Sequence, residues 1–249
     1  TILGRGLDSQ ALMQMLHSIF DEVELDYGSD ESAALFSGIL PPSAELADVK
    51  DIAEYITEST LPKGDTVMFR QMTGDLLYYL SSKREEAFKE GLDYLLDEYI
   101  LSRPDVWRSE DDSLKVVGRA RIMDDLLSKS APGTKVPSVK VPGELISSKG
   151  AKTTVKALDR LRGKSNCIMF VAQGCNVCAA EKDAMRVLMA DPVRSRGMKV
   201  FLVDIDDLLM TDPKLASALF DAFDLTSLPF IIETDAKGTV LRRYISFRF

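Results

Sequence analysis

The feature that most restricts the fold of this chain is a change of hydrophobic period near its middle, at Ser130-Ala131-Pro132-Gly133. Before it, apolar residues recur at three- and four-residue spacing, the pattern of helices with one buried face. After it, short apolar runs separated by Pro and Gly predict strands, with helices between some of them. At 249 residues the chain is long enough to build two cores. The pattern predicts an α+β protein of two domains, helical over 1–130 and a mixed sheet flanked by helices over 131–249.

In the first half, Ala11-Leu12, Met15-Leu16 and Ile19-Phe20 predict one helix. Pro41-Pro42 interrupts the pattern, and Ser43 is the expected cap of a second helix through Leu46, Val49, Ile52, Ala53 and Ile56. A third carries Val67-Met68, Met72, Leu76 and Tyr79-Leu80. A fourth, from about Lys83 to Leu101, aligns Phe88, Leu92, Leu95-Leu96 and Tyr99. The fifth, about Asp112 to Lys129, holds Leu114, Val117, Ala120, Met123 and Leu126-Leu127. Such stripes are packing faces, and no cofactor box is read into them.

In the second half, Val136, Val139 and Val141 are punctuated by Pro137 and Pro142, which predicts an edge strand or an extended connector. Thr153-Thr154-Val155 is the expected second arm of a hairpin. The run Ile168 to Ala172 predicts a strand, Gln173-Gly174 a turn, and the following residues a helix to about Ala190. Lys199 to Ile205 is apolar enough for a strand buried on both faces. Thr211 or Asp212, with Pro213 at the first helical position, opens a helix that ends near Phe223. Strands over Pro229 to Thr234 and Val240 to Ile245 close the order around the turn Asp235-Ala236-Lys237-Gly238.

The chemistry is concentrated at Cys175-Asn176-Val177-Cys178, where the strand gives way to the helix. Two cysteines three apart can close a disulfide within one helical turn, and the positive end of the helix favours the first one's thiolate. Dithiol–disulfide exchange needs that pairing, an attacking thiolate and a neighbour that resolves the mixed disulfide. A buried, chemically idle pair is the alternative that the residues leave open. Zinc would need four ligands, and the remaining Cys167 and His17 do not complete a set. Three cysteines are also too few for a disulfide scaffold. No metal and no other cofactor is expected.

Residues 1–130 carry 26 acidic against 13 basic side chains, and residues 131–249 carry 13 against 18. An acidic total of −8, without a concentrated basic stripe, argues against nucleic-acid binding. The asymmetry either helps the halves dock or reflects two separately solvated surfaces. No apolar run approaches the ~20 residues of a membrane span. The chain begins at Thr1, which is compatible with a leader removed earlier.

Four features in order resemble the thioredoxin fold, and within it the TlpA-like and ResA-like thiol-disulfide oxidoreductases. They are Gly133-Thr134-Lys135-Val136-Pro137 leading into a hairpin, the strand–Cys175-x-x-Cys178–helix unit, the strand ending Val203-Asp204, and Leu225-Thr226-Ser227-Leu228-Pro229-Phe230 before the Asp235-x-x-Gly238 turn. The resemblance implies that Cys175 attacks and Cys178 resolves. It places Glu181 where ResA-like proteins carry an active-site glutamate, either to manage the proton of Cys178 or as a plain surface residue. It makes Leu228 and Pro229 a cis-proline loop that meets substrate backbone, and Cys167 an inert core residue. It also implies reduction of protein disulfides, an upstream redox partner, a role in redox homeostasis, and a periplasmic or cell-envelope location. Gly118 to Leu127 followed by Gly133 to Pro137 is similar to the junction in exported TlpA-like proteins of anaerobic Gram-negative bacteria, whose helical N-terminal domain has no known function.

The departures from that pattern are specific. Gly174 stands where an aromatic usually precedes the first cysteine, and Asn176-Val177 replaces Gly-Pro. Met169 occupies the position of the buried acid of thioredoxin itself. The final helix of the family has no counterpart before Phe249, so either the chain is shortened or, the favoured expectation, the helical half covers that sheet face. These changes keep a second function class in view, a redox-inactive thioredoxin-fold binding or scaffold module. Peroxide reduction is a weaker third, because Ala172 stands where peroxiredoxins place a threonine.

Overall fold

The computed structural model describes residues 25–107 and 112–248. The expected helix over residues 11–20, and His17, lie outside them. The chain divides into two compact units, Thr1–Asp125 and Leu126–Phe249.

The first unit is helical among its described residues. Helix α1 (Asp30–Ile39) is capped by Ser29, whose Oγ accepts the Ser32 N–H at 3.1 Å. This helix is not among those that the apolar spacing predicts. Helix α2 (Leu46–Thr60) begins at Glu45 and not at Ser43. The Ala44 N–H bonds Pro41 O and closes a turn through Ser43, while Glu45 and Asp48 exchange hydrogen bonds in a capping box. Helix α3 (Thr66–Ser81), capped by Asp65, buries Phe69, Leu76, Leu77 and Leu80 completely. Helix α4 (Glu86–Leu95) continues through a wider π-type turn, Leu96–Leu101, and α5 (Arg119–Ser128) is preceded by another, Ser113–Gly118. Among the described residues two carboxylates are sunk in this core. The Asp112 carboxylate accepts from Tyr27 and Arg70, and Asp75 accepts from the Gly28 N–H at 2.7 Å and from Gln71. Burial pushes the pKa of both Tyr27 and Asp75 upward, because it disfavours their charged forms.

The second unit is a six-stranded mixed sheet in the order β2-β1-β4-β3-β5-β6. The strands are β1 (Lys140–Ser147), β2 (Gly150–Ala157), β3 (Ser165–Val171), β4 (Met198–Asp204), β5 (Phe230–Thr234) and β6 (Val240–Arg243). Only β3 and β4 run parallel, joined by α6 (Asn176–Ala190) as crossover helix. The other neighbouring pairs are antiparallel. Residues 133–136 lie outside the hairpin and bond instead to Gly238 and Val240 beside β6.

Strand β3 sorts the core by alternation. Ile168 and Phe170 face a cluster with Phe201, Leu219, Phe223 and Phe230, closed by α7 (Ile205–Thr211) and α8 (Pro213–Ala222). Cys167, Met169 and Val171 face the opposite cluster, with Cys178, Met185 and Met189 of α6 and with Phe247. A strand covered on both faces has to be apolar at every position, which is why 168–172 reads as an unbroken run.

Candidate functional site

Helix α6 starts immediately after Cys175, which is its N-cap residue. The turn before it is made by Gly174 at φ 68°, a left-handed conformation that glycine adopts without strain. The space beside Gly174 is open, with no heavy atom within 4 Å of where a Cβ would stand. The glycine is therefore required by the backbone path and not by crowding. One residue earlier, the Gln173 N–H donates to the Asp206 carboxylate at 2.7 Å, so the first turn of α7 holds the loop that delivers the cysteines.

Cys175 and Cys178 are joined as a disulfide with Cα atoms 5.2 Å apart. Cys175 is half-buried, whereas Cys178 is completely buried. The Cys175 Sγ accepts the Cys178 N–H at 3.1 Å, so it occupies the acceptor position that a capping hydroxyl normally fills. On its other side, the Leu228 carbonyl oxygen lies 3.9 Å away. The Leu228-Pro229 peptide bond is cis, as the resemblance implied. Leu228 packs against both core clusters, and the loop before it is tied by Asp224. That buried carboxylate accepts the Thr226 N–H and hydroxyl and, at 2.8 Å, the Tyr244 hydroxyl.

Glu181 is not a surface residue. It is 3% exposed and shares the buried stripe of α6 with Cys178, Met185 and Met189. Its carboxylate accepts the Phe247 N–H at 2.7 Å, the Arg248 Nε–H at 3.1 Å and the Ser246 hydroxyl. Cys167 is buried on β3, and desolvation, with a smaller push from Glu233, raises its thiol to about 12. Met169 is fully buried, so no acid stands at that point of the strand. Among the described residues no group of His, Cys, Asp and Glu side chains could hold a metal, and no helix is long and apolar enough to cross a membrane.

The structure thus brings Cys175, Cys178 and the Leu228-Pro229 loop together, with Glu181 one turn further along α6. Asp206, Asp224 and Ser246–Arg248 were not singled out from the sequence. The Asp-x-Thr spacing of 224 and 226 is a recognisable local turn signal. Asp206 and Arg248 act across long sequence separations, which no local pattern encodes.

Sheet order, crossover helix, the cysteine pair at its start and the cis-proline strand entry define the class, a thioredoxin-like fold with a CxxC disulfide. Among solved structures the chain is similar to a thioredoxin-like protein from Bacteroides caccae, at 15% identity and TM-score 0.57, over 98% of this chain and 92% of that one. It also aligns with the thioredoxin domain of a thiol-disulfide oxidoreductase from Bacteroides vulgatus, at 17% identity, TM-score 0.32 and coverage of 47% and 89%. A thiol:disulfide interchange protein from a Bacteroides species gives 19% identity, TM-score 0.32 and coverage of 45% and 80%. The sequence matches no protein-family model and no curated protein.

Proposed function

We propose that this protein is a thiol-disulfide oxidoreductase that reduces disulfides of other proteins outside the cytoplasm. Residues 131–249 carry the chemistry. One observation supports this most directly: the Cys175–Cys178 disulfide sits at the N-terminus of α6, with Cys175 the more accessible sulfur and the Leu228-Pro229 loop against it.

In the reduced protein, the Cys175 thiolate attacks one sulfur of a substrate disulfide. The substrate S–S bond breaks, the second substrate sulfur leaves with the electron pair and takes a proton, and a mixed disulfide joins Cys175 to the substrate. Cys178 then loses its proton to solvent or to Glu181 and attacks the Cys175 sulfur. The substrate's remaining thiol is released and the Cys175–Cys178 disulfide is restored. Two electrons have passed to the substrate, and an upstream protein dithiol returns them. The helix N-terminus and the Cys178 N–H favour the attacking thiolate, and the loop at Leu228 and Pro229 lies where a substrate strand would meet it. Export is carried over from the family resemblance.

The test is insulin reduction with dithiothreitol as electron source. Replacing Cys175 by Ser should abolish turnover, and Cys178→Ser, reduced and then freed of dithiothreitol before insulin is added, should accumulate a mixed disulfide on Cys175. Undiminished turnover in the Cys175 variant would end the proposal. One observation favours the second reading, a binding module that retains the fold: the Glu181 carboxylate is engaged by three donors rather than open to a thiol. Equilibration with a glutathione buffer separates the two, since an idle pair exchanges sluggishly.

A further inference from the structure

We infer that residues 244–248, which follow β6, form a latch that Glu181 holds shut over the resolving sulfur, leaving Cys175 as the one sulfur of the pair open to attack. The inference rests on the redox reading of that pair. Donors from three consecutive residues converge on one carboxylate: the Ser246 hydroxyl, the Phe247 N–H at 2.7 Å and the Arg248 Nε–H at 3.1 Å. A buried carboxylate keeps its place only when its oxygens are bonded, so keeper and latch depend on each other. The Ile245 N–H bonds Ile231 O at 3.2 Å, which guides the segment along β5 before it reaches Glu181. Phe247 is carried by these bonds into the apolar cluster that contains Cys178, and only 6% of it is exposed. Arg248 remains 56% exposed, so its bond is the one that water contests first.

Access decides which sulfur of a disulfide is attacked. With the latch shut, an incoming thiolate attacks the Cys175 sulfur. The Cys175–Cys178 bond breaks, and the Cys178 sulfur leaves with the electron pair and takes a proton. With it open, Cys178 accepts the same attack, the Cys175 sulfur leaves with the electron pair and takes a proton, and the mixed disulfide forms on Cys178 instead. Glu181 is then a positioning residue, acting through Phe247 and Arg248.

The experiment uses the reduced full chain carrying Cys175→Ser, and follows the rate at which iodoacetamide alkylates Cys178. Adding Arg248→Met should raise that rate about threefold, the loss of one ion pair whose arginine end is exposed. Adding Phe247→Ala should raise it about tenfold, because the plug itself is gone. A second readout maps glutathione adducts on the oxidised protein by mass spectrometry. Adducts confined to Cys175 in the parent should spread to Cys178 in Arg248→Met. Should Phe247→Ala not fold, the surface variant Arg248→Met decides. Unchanged Cys178 reactivity in Arg248→Met, with circular dichroism intact, would overturn the latch. Alkylation needs no turnover, so a latch that opens in these variants while the parent, with both cysteines present, fails to reduce insulin would sink the redox reading alone.

Discussion

At the scale of single residues, this molecule separates three thiols that are chemically alike by where the backbone puts them. Cys175 caps a helix, Cys178 is sealed one turn on, and Cys167 lies inside β3 between strands on both sides. For Cys167 the burial has a measurable consequence. Its thiol moves from an ordinary 9.0 to about 12, so the native state resists ionisation that the unfolded chain permits. A raised value of this kind supports folding below pH 9, and the support is lost as the pH climbs from there toward 12. At pH 10.5 the loss should amount to about 2 kcal/mol relative to a Cys167→Ala variant, read as a difference in urea unfolding between pH 8 and 10.5. Equal pH slopes for the two proteins would refute it. Cysteine spacing made the first two thiols legible as a pair, and the unbroken apolar run around the third made it legible as core. Glu181 was legible as a position but not as an environment. Its neighbours come from residues 246–248, and nothing local to α6 announces them.

At the scale of elements, what could be read depended on whether a segment's hydrophobic pattern was its own. The β3–α6 unit, the helix begun by Asp212 and Pro213, and the last hairpin all have local start and stop chemistry, and they form close to where it puts them. Helix α1 was missed because its buried residues are few, Ser32, Phe36 and Ile39, although Ser29 followed by acidic residues is an N-terminal signal. Helix α7 is a single run of seven residues, and the apolar run Lys199 to Ile205 that predicts strand β4 takes in only its first residue. Asp204 divides them, because its carboxylate accepts the Asp207 N–H and turns the chain. The π-type turns that extend α4 and precede α5 leave the three- and four-residue spacing nearly intact, so periodicity does not reveal them. Packing between elements is equally specific. Gly74 of α3 lies against the Tyr27 ring, and a Cβ there would stand 2.3 Å from Tyr27 Cδ1. Gly74→Ala should therefore cost about 2 kcal/mol despite the better helix propensity of alanine, measured by urea unfolding. A stabilised variant would show that the ring moves aside freely.

At the scale of the whole molecule, each unit has a core of its own, and the probes of the two are conveniently separate. Trp107, the sole tryptophan, is buried in the first unit, where its Nε1–H bonds Tyr99 O at 3.1 Å. The disulfide belongs to the second. A double replacement of Cys175 and Cys178 by serine should leave the guanidinium midpoint seen by tryptophan fluorescence unchanged, while circular dichroism records a change in the remainder. A fluorescence midpoint that shifts with the cysteines would show that the units unfold as one. The division into a helical and a sheet-containing half was visible as a change of period. The pairing partners of each strand were not, because register is written in side-chain faces and long-range bonds rather than in any one segment. The same dependence on distant partners applies to the cysteine site. The Leu228 carbonyl that stands beside the Cys175 sulfur arrives from 53 residues downstream, delivered by β5 pairing with β3. A chain that has emerged from the ribosome only through α8 carries both cysteines but not yet the Leu228 carbonyl, so the surroundings of the disulfide are complete only once synthesis has passed Pro229.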